Sequence, residues 1–140
     1  MKDQDVIIRK GSVEEAVDLS LSIPEFENPH RKEIYYQRLE GKCHLIAIAE
    51  VNGKPVGFKV GYDKFDDKSF YTWMGGVLPS YRKLGIARKL ADYQEEFAKK
   101  EGYESIILKT RNRHQNMLLF AISSGFEIID VEIKDTIKEN

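Results

Sequence analysis

Residues Val77 to Leu90 read VLPSYRKLGIARKL, and the parsing of this stretch decides the fold. Val77 and Leu78 end an apolar, strand-like run, Pro79 breaks it, and from Ile86 the pattern turns helical, with Ile86, Leu90, Tyr93 and Phe97 on one side. Between them the chain places Arg82, Lys83, Gly85 and Arg88 without one carboxylate, although the whole sequence holds 22 Lys and Arg against 23 Asp and Glu. A helix N-terminus leaves about four backbone N–H groups unpaired and carries partial positive charge. Gly85 lets the backbone come close to a ligand and small Ala87 keeps the first turn open, so the stretch suits an anion such as a phosphate. Neither G-x-x-x-x-G-K-[ST] nor G-x-G-x-x-G occurs, which removes the usual nucleotide-loop readings.

Upstream, the spacing predicts an antiparallel meander from Leu45 to Leu78. HLIAIAEV and KPVGFKVGYD flank Asn52-Gly53, a favoured two-residue hairpin turn, and SFYTWMGGVL follows the turn KFDDK. Gly75 and Gly76 sit inside this third strand, where glycine marks a bulge or a close approach, so the ladder is expected to be interrupted there. Nearer the N-terminus, Val6 to Lys10 read as a strand. Ser12 and Glu15 have capping-box spacing, with Val13, Val17 and Leu21 on one helical face and Pro24 at the end. Asn28 and Pro29 predict the cap and first turn of a second helix, with Ile34, Tyr35 and Leu39 apolar and Gly41 as the stop.

Downstream, Gly102 ends the long helix, ESIILKT is a buried strand, QNMLLFAISS a short helix closed by Gly125, and FEIIDVEIK a last strand. Strand, helix, strand in this order implies a right-handed parallel crossover. The fold class is α/β (α+β-like): a mixed sheet with helices on both faces.

The 140 residues, net charge −1 and 41% hydrophobic content fit one soluble domain over residues 1–140, with no general charge footprint for nucleic acid or a membrane. The lone Cys43 excludes an internal disulfide, and the N-terminus lacks a signal-peptide core, so a cytoplasmic protein is expected. Asp66 and Asp67 offer too few ligands for a metal site, and no metal is expected.

VLPSYRKLGIA resembles the acetyl-coenzyme A signature of the GNAT acetyltransferase superfamily, V-x-P-x-[FY]-[QR]-x-x-G-[IL]-[GA], through Val77, Pro79, Tyr81, Arg82, Gly85, Ile86 and Ala87. NMLLFAISSGFEI is similar to that family's final short helix and Gly-Phe turn. The resemblance implies a mostly antiparallel twisted sheet with a V-shaped splay between the fourth and fifth strands. It also implies acetyl-coenzyme A as cosubstrate. Backbone groups of Gly75, Gly76 and Val77 would pair with its pantetheine arm. Amides of Arg82, Lys83, Leu84, Gly85, Ile86 and Ala87 would hold its diphosphate, and Asn112 or Asn116 would bond the pantetheine amides.

By the same resemblance the chain is an N-acetyltransferase acting on a primary amine of a small molecule or peptide. The alternative is a non-catalytic acyl-coenzyme A binding or regulatory module, because the family's proton-donating tyrosine position is Ala121. Base candidates are Glu25, Glu27, His30, Asp63 and Tyr71; Glu25 and Tyr71 are the catalytic expectations, and Glu25 with Phe26 the acceptor contact. The short tail after Phe126 implies a short or missing final strand, and with it an edge that a second subunit would cover in a homodimer.

Overall fold

In the computed structural model, which describes residues 5–26, 28–82, 84–110 and 128–132 (backbone alone for 108–110 and 128–132), six strands form one sheet. They are Val6–Lys10 (β1), His44–Val51 (β2), Lys54–Tyr62 (β3), Ser69–Val77 (β4), Ser105–Thr110 (β5) and Ile128–Glu132 (β6), in the order β1-β2-β3-β4-β5-β6. β1 to β4 pair antiparallel, and β4-β5 and β5-β6 are parallel. The described residues therefore include a strand after β5, short and parallel to it, as the mixed sheet requires.

Among the described residues, three α-helices follow from local chemistry: Val13–Leu21 (α1), Lys32–Leu39 (α2) and Ile86–Lys100 (α3). Ser12 caps α1 with a complete capping box to Glu15, which satisfies N–H groups at both ends of the box. The buried face of α1 is Val13, Ala16, Leu19 and Ser20; Leu21 is 66% exposed. The expected Val13–Val17–Leu21 stripe is thus rotated, and Ile23, just past the helix, takes the core position that Leu21 leaves. The second helix begins later than Asn28-Pro29 predicts: its N-cap is Arg31, with no side-chain hydrogen bond. Tyr35 and Leu39 are its buried residues, as the spacing predicts, while Ile34 is half-buried. Helix α3 ends at Gly102, whose φ is +92°. Gly102 N–H donates to Lys99 O at 3.1 Å and Tyr103 N–H to Ala98 O at 3.0 Å, a Schellman closure.

The two sheet faces bury separate clusters. α1 and α2 cover Ile46, Ile48, Phe58, Val60, Tyr62 and Tyr71. α3 covers Leu45, Ala47, Ala49, Val56, Phe70 and Ile106 through Ile86, Leu90 and Ala98. The hairpin turn has φ +54° at Asn52 and +82° at Gly53, the left-handed pair that a tight hairpin demands. No helix among the described residues is long and apolar enough to cross a membrane.

One expectation about β4 is corrected. Gly75 and Gly76 lie in regular register, opposite Lys59 and Phe58; the break falls between Val60↔Met74 and Gly61↔Thr72. Trp73 is therefore the extra residue, and the bulge precedes the glycines. The glycines answer to close approach instead. A Cβ on Gly75 would lie 2.9 Å from Phe58 O, and one on Gly76 would lie 2.9 Å from Ile23 Cδ1.

Candidate functional site

β4 and β5 pair only from Ser69↔Ser105 to Thr72↔Leu108. Beyond Thr72, β4 stays with β3 while Lys109 and Thr110 of β5 pair with β6. The two parallel strands therefore diverge where Trp73 bulges, as an extra residue bends its strand. From Trp73 to Val77 the β5-facing edge of β4 has no β5 partner, which is the V-shaped splay.

The chain leaves this edge through a single 3-10 turn, Pro79–Tyr81, and reaches α3 at Gly85. Gly85 has φ +75°, and the cap makes no side-chain hydrogen bond. A Cβ there would meet nothing within 4 Å among the described residues, so glycine is required here by backbone conformation and not by crowding. The first return bond of the helix is Lys89 N–H to Gly85 O, 3.1 Å. In contrast to Ser12 at α1, the N-cap residue of α3 has no side chain to offer the first-turn N–H groups. Ile86 turns its side chain into the core at 2% exposure, Ala87 is exposed, and Leu84 is 42% exposed. Lys83, Asn112, Asn116, Glu27 and Ala121 lie outside the described residues.

Arg82 joins this loop to the α1–α2 connection. Its Nη1 and Nη2 donate to Glu25 Oε2 and Oε1 at 3.0 and 2.8 Å, and its Nε donates to Val77 O at 3.0 Å. Those hydrogen bonds hold the Glu25 carboxyl below the usual carboxylate range and raise Arg82. The pair is exposed, so it sets loop geometry more than stability. Beside it, Phe26 packs on Phe58 at 6.0 Å between ring centroids, and Ile23 closes over Gly76. The acceptor candidates Glu25 and Phe26 are thus placed next to the coenzyme candidates Gly76 and Arg82.

Further along β4, on the face under α1 and α2, lies an aromatic run. Trp73 meets His30 at 5.6 Å, Tyr35 at 5.1 Å and Tyr62 at 5.9 Å, and Tyr62 meets Tyr71 edge-on at 5.6 Å. Burial lowers the His30 imidazole, aided by the charge of Arg38, and burial raises the Tyr71 phenol. At neutral pH His30 can accept a proton and Tyr71 can only donate one. Asp63 is turned elsewhere: its Oδ2 accepts from Tyr103 at 2.9 Å and its Oδ1 from Asp66 N–H at 2.9 Å.

Sequence reasoning missed Lys59 and Arg38. Lys59 is 7% exposed with no hydrogen bond or ion pair among the described residues, and burial pushes its amine down to about 8. It shares the α3-facing side of β3 with Gly57 and Gly61, whose added Cβ atoms would strike Ile86 and Gln94. The Gly-x-Lys-x-Gly alternation was the available signal. Arg38 stands with its Cζ 4.9 Å from the Trp73 ring centre; nothing in its helix spacing marked it.

The family model described as acetyltransferase (GNAT) family matches residues 13–126. Among solved structures, the chain is similar to the ribosomal-protein-S18-alanine N-acetyltransferase of Escherichia coli, with 16% identity, TM-score 0.71, and coverage of 86% of this chain and 77% of that one. It is also similar to the aminoglycoside N-acetyltransferase AAC(6')-Iy in complex with a bisubstrate analogue, at 17% identity, TM-score 0.72, and 96% and 99% coverage. A GNAT-family acetyltransferase from Staphylococcus aureus Mu50 gives 22% identity, TM-score 0.70, and 86% and 84% coverage. At these identities the likeness is one of fold. No curated protein sequence matches the chain.

Proposed function

The chain belongs to the acetyltransferase (GNAT) family, and we propose that it transfers acetyl from acetyl-coenzyme A to a primary amine of a small molecule or peptide. The observation that carries this reading is the pairing of a glycine-capped α3 N-terminus, whose N-cap makes no side-chain hydrogen bond, with the edge of β4 that β5 leaves. First-turn amides and the loop before them suit a diphosphate. The edge at Gly75, Gly76 and Val77, which has no strand partner among the described residues, suits an amide-bearing chain laid alongside as an added strand. When bound, the cosubstrate supplies an acetyl thioester.

The protein's own residues then have separable tasks. An alkylammonium of pKa about 10.4 must lose a proton before it can attack a carbonyl. Neutral His30, stacked on Trp73 at the mouth of the splay, takes that proton. Tyr71, kept protonated by burial, holds a proton at its hydroxyl. Glu25, pinned by Arg82, keeps a negative charge beside Phe26 and attracts the ammonium to the cleft, a role its lowered proton affinity suits better than that of base. The single-domain organisation and a dimer formed along the β6 edge belong to the same proposal; a mass independent of concentration would reject the dimer.

The test is thiol release from acetyl-coenzyme A with a panel of amines. Amine-dependent release that falls at least tenfold in His30→Gln supports the assignment. Tight coenzyme binding with no release on any amine would contradict it.

A further inference from the structure

Among the described residues Lys59 is the only buried lysine, and its Nζ has no hydrogen bond or ion pair there. Burying an ammonium without a partner is unfavourable. Its register partner on β4 is Gly75, and its Cγ lies 3.4 Å from the point where a Cβ on Gly75 would stand. The stem thus leans toward β4, at a position with no side chain to stop it. Neighbouring strands lie about 4.8 Å apart, within the length of a lysine side chain. The ammonium can therefore span from β3 to the edge of β4 that β5 leaves beyond Thr72.

A second orphan lies on the same face. Gln94 of α3 donates from Nε2 to Thr72 Oγ1 at 2.8 Å, and its Oε1 is buried without a hydrogen-bond partner among the described residues. Thr72 is the last residue of β4 that pairs with β5, and Oε1 stands over Gly61, two residues along β3 from Lys59. A donor and an acceptor are thus both left open beside the root of the splay. Buried polar groups without partners are rare, and two together mark a place that a ligand completes.

The surroundings of Lys59 carry little charge. β2 presents Ala47 opposite it and β4 presents Gly75. The ionisable side chains on the buried side of α3 are Glu95, bridged to Lys99 Nζ at 3.2 Å, and Tyr93. Burial alone lowers the amine, to about 8, close to the value of about 8.5 for an ordinary thiol. A proton donor works best when its affinity lies near the working pH.

On the footing of the acetyltransferase reading, we propose that Lys59 Nζ is the proton donor to the departing sulfur, reaching it past Gly75 from the α3 side of β4. As the acceptor nitrogen bonds to the acetyl carbon, the carbon–sulfur bond breaks with its electron pair going to sulfur. Lys59 gives that sulfur one proton and is left neutral. His30 has taken the proton of the attacking amine, and exchange with solvent restores both groups. The cation is retained against its cost in stability because an apolar residue there cannot protonate sulfur.

The test reads the thiol of bound coenzyme A and, separately, turnover. Thiolate absorption in the ultraviolet is followed against pH for the coenzyme A complex, with the desulfo-coenzyme A complex as blank. The bound thiol should titrate at least about one pH unit lower in the wild type than in Lys59→Met, because a neighbouring ammonium favours the thiolate. In thiol release with an amine that the wild type accepts, Lys59→Met should lower kcat at least about tenfold with little change in the KM for acetyl-coenzyme A. The wild-type loss of activity as pH rises through about 8 should vanish in the variant. Lys59→Arg keeps the charge without a proton it can give up, so it should shift the bound thiol and leave kcat low. Equal thiol titration in wild type and Lys59→Met, both binding coenzyme A, overturns the assignment alone, as does a variant with wild-type kcat and alkaline limb. A loss confined to coenzyme affinity also overturns it, since Lys59 is then a binding residue. Failure of the wild type to bind coenzyme A overturns the acetyltransferase reading and the assignment with it.

Discussion

Replacing Lys59 by methionine should stabilise the protein. The lysine is 7% exposed, and burial lowers its amine from 10.5 to about 8. At about 1.4 kcal/mol for each tenfold loss of proton affinity, that fall corresponds to roughly 3 kcal/mol of destabilisation at neutral pH. Between pH 8 and 10.5 the unfolded chain binds more protons than the folded one. The penalty is therefore complete below about pH 8 and fades as the pH rises toward the unfolded value. Lys59→Met keeps the unbranched stem over Gly75 and removes the ammonium. Urea unfolding of both proteins at pH 7 and pH 10 measures the effect: the variant should gain on the order of 2–3 kcal/mol at pH 7 and much less at pH 10, in line with exchange of buried charge for apolar volume. A destabilised variant, or a wild type with flat stability across the alkaline range, would show that the amine has a compensating partner and refute the reasoning.

Four further outcomes are expected. Gly85→Val forces a β-branched residue to φ +75°. It should cost about 1–2 kcal/mol and remove coenzyme binding measured by calorimetry. Gly76→Val drives a side chain into Ile23, lowering stability by roughly 1–3 kcal/mol in a denaturant titration. Glu25→Gln breaks an exposed bridge and should change stability by less than about 1 kcal/mol, yet weaken amine kcat/KM in the thiol assay while leaving coenzyme affinity intact. Because burial lowers His30, its limb of the pH profile should lie below about 6.5. Activity should rise through that limb as His30 becomes neutral, and Gln at this position should abolish the limb.

Local signals were sufficient for much of this fold. Asn52-Gly53 dictated a hairpin because both residues tolerate positive φ, and Ser12 with Glu15 satisfied α1 within a few residues of chain. The same holds for Gly85 and Gly102 at the ends of α3. What depended on distant partners was harder to read. The bulge at Trp73 is set by the register against Val60 and Gly61, so Gly75-Gly76 drew attention to the right strand and the wrong residues. Leu21 lost its core place to Ile23 because the chain turns inward after α1, and α2 is capped at Arg31 although Asn28-Pro29 spell a better cap. In the site, the anion loop was legible because its chemistry is contiguous. The Arg82–Glu25 bridge and the Arg38–Trp73 stack were not, since they join residues far apart in sequence, and the burial of Lys59 required knowing that α3 covers its face.

The measurement closest to the central claim compares heat stability with coenzyme A and with pantetheine, which lacks the diphosphate. At one hundred times its dissociation constant a ligand adds about 2.7 kcal/mol, a shift of roughly 5–15 °C for a chain of this size. Coenzyme A should produce a shift of that order in the wild type, and pantetheine at the same concentration little or none. Equal shifts from the two, or none from either, would contradict an anion held at the open N-terminus of α3.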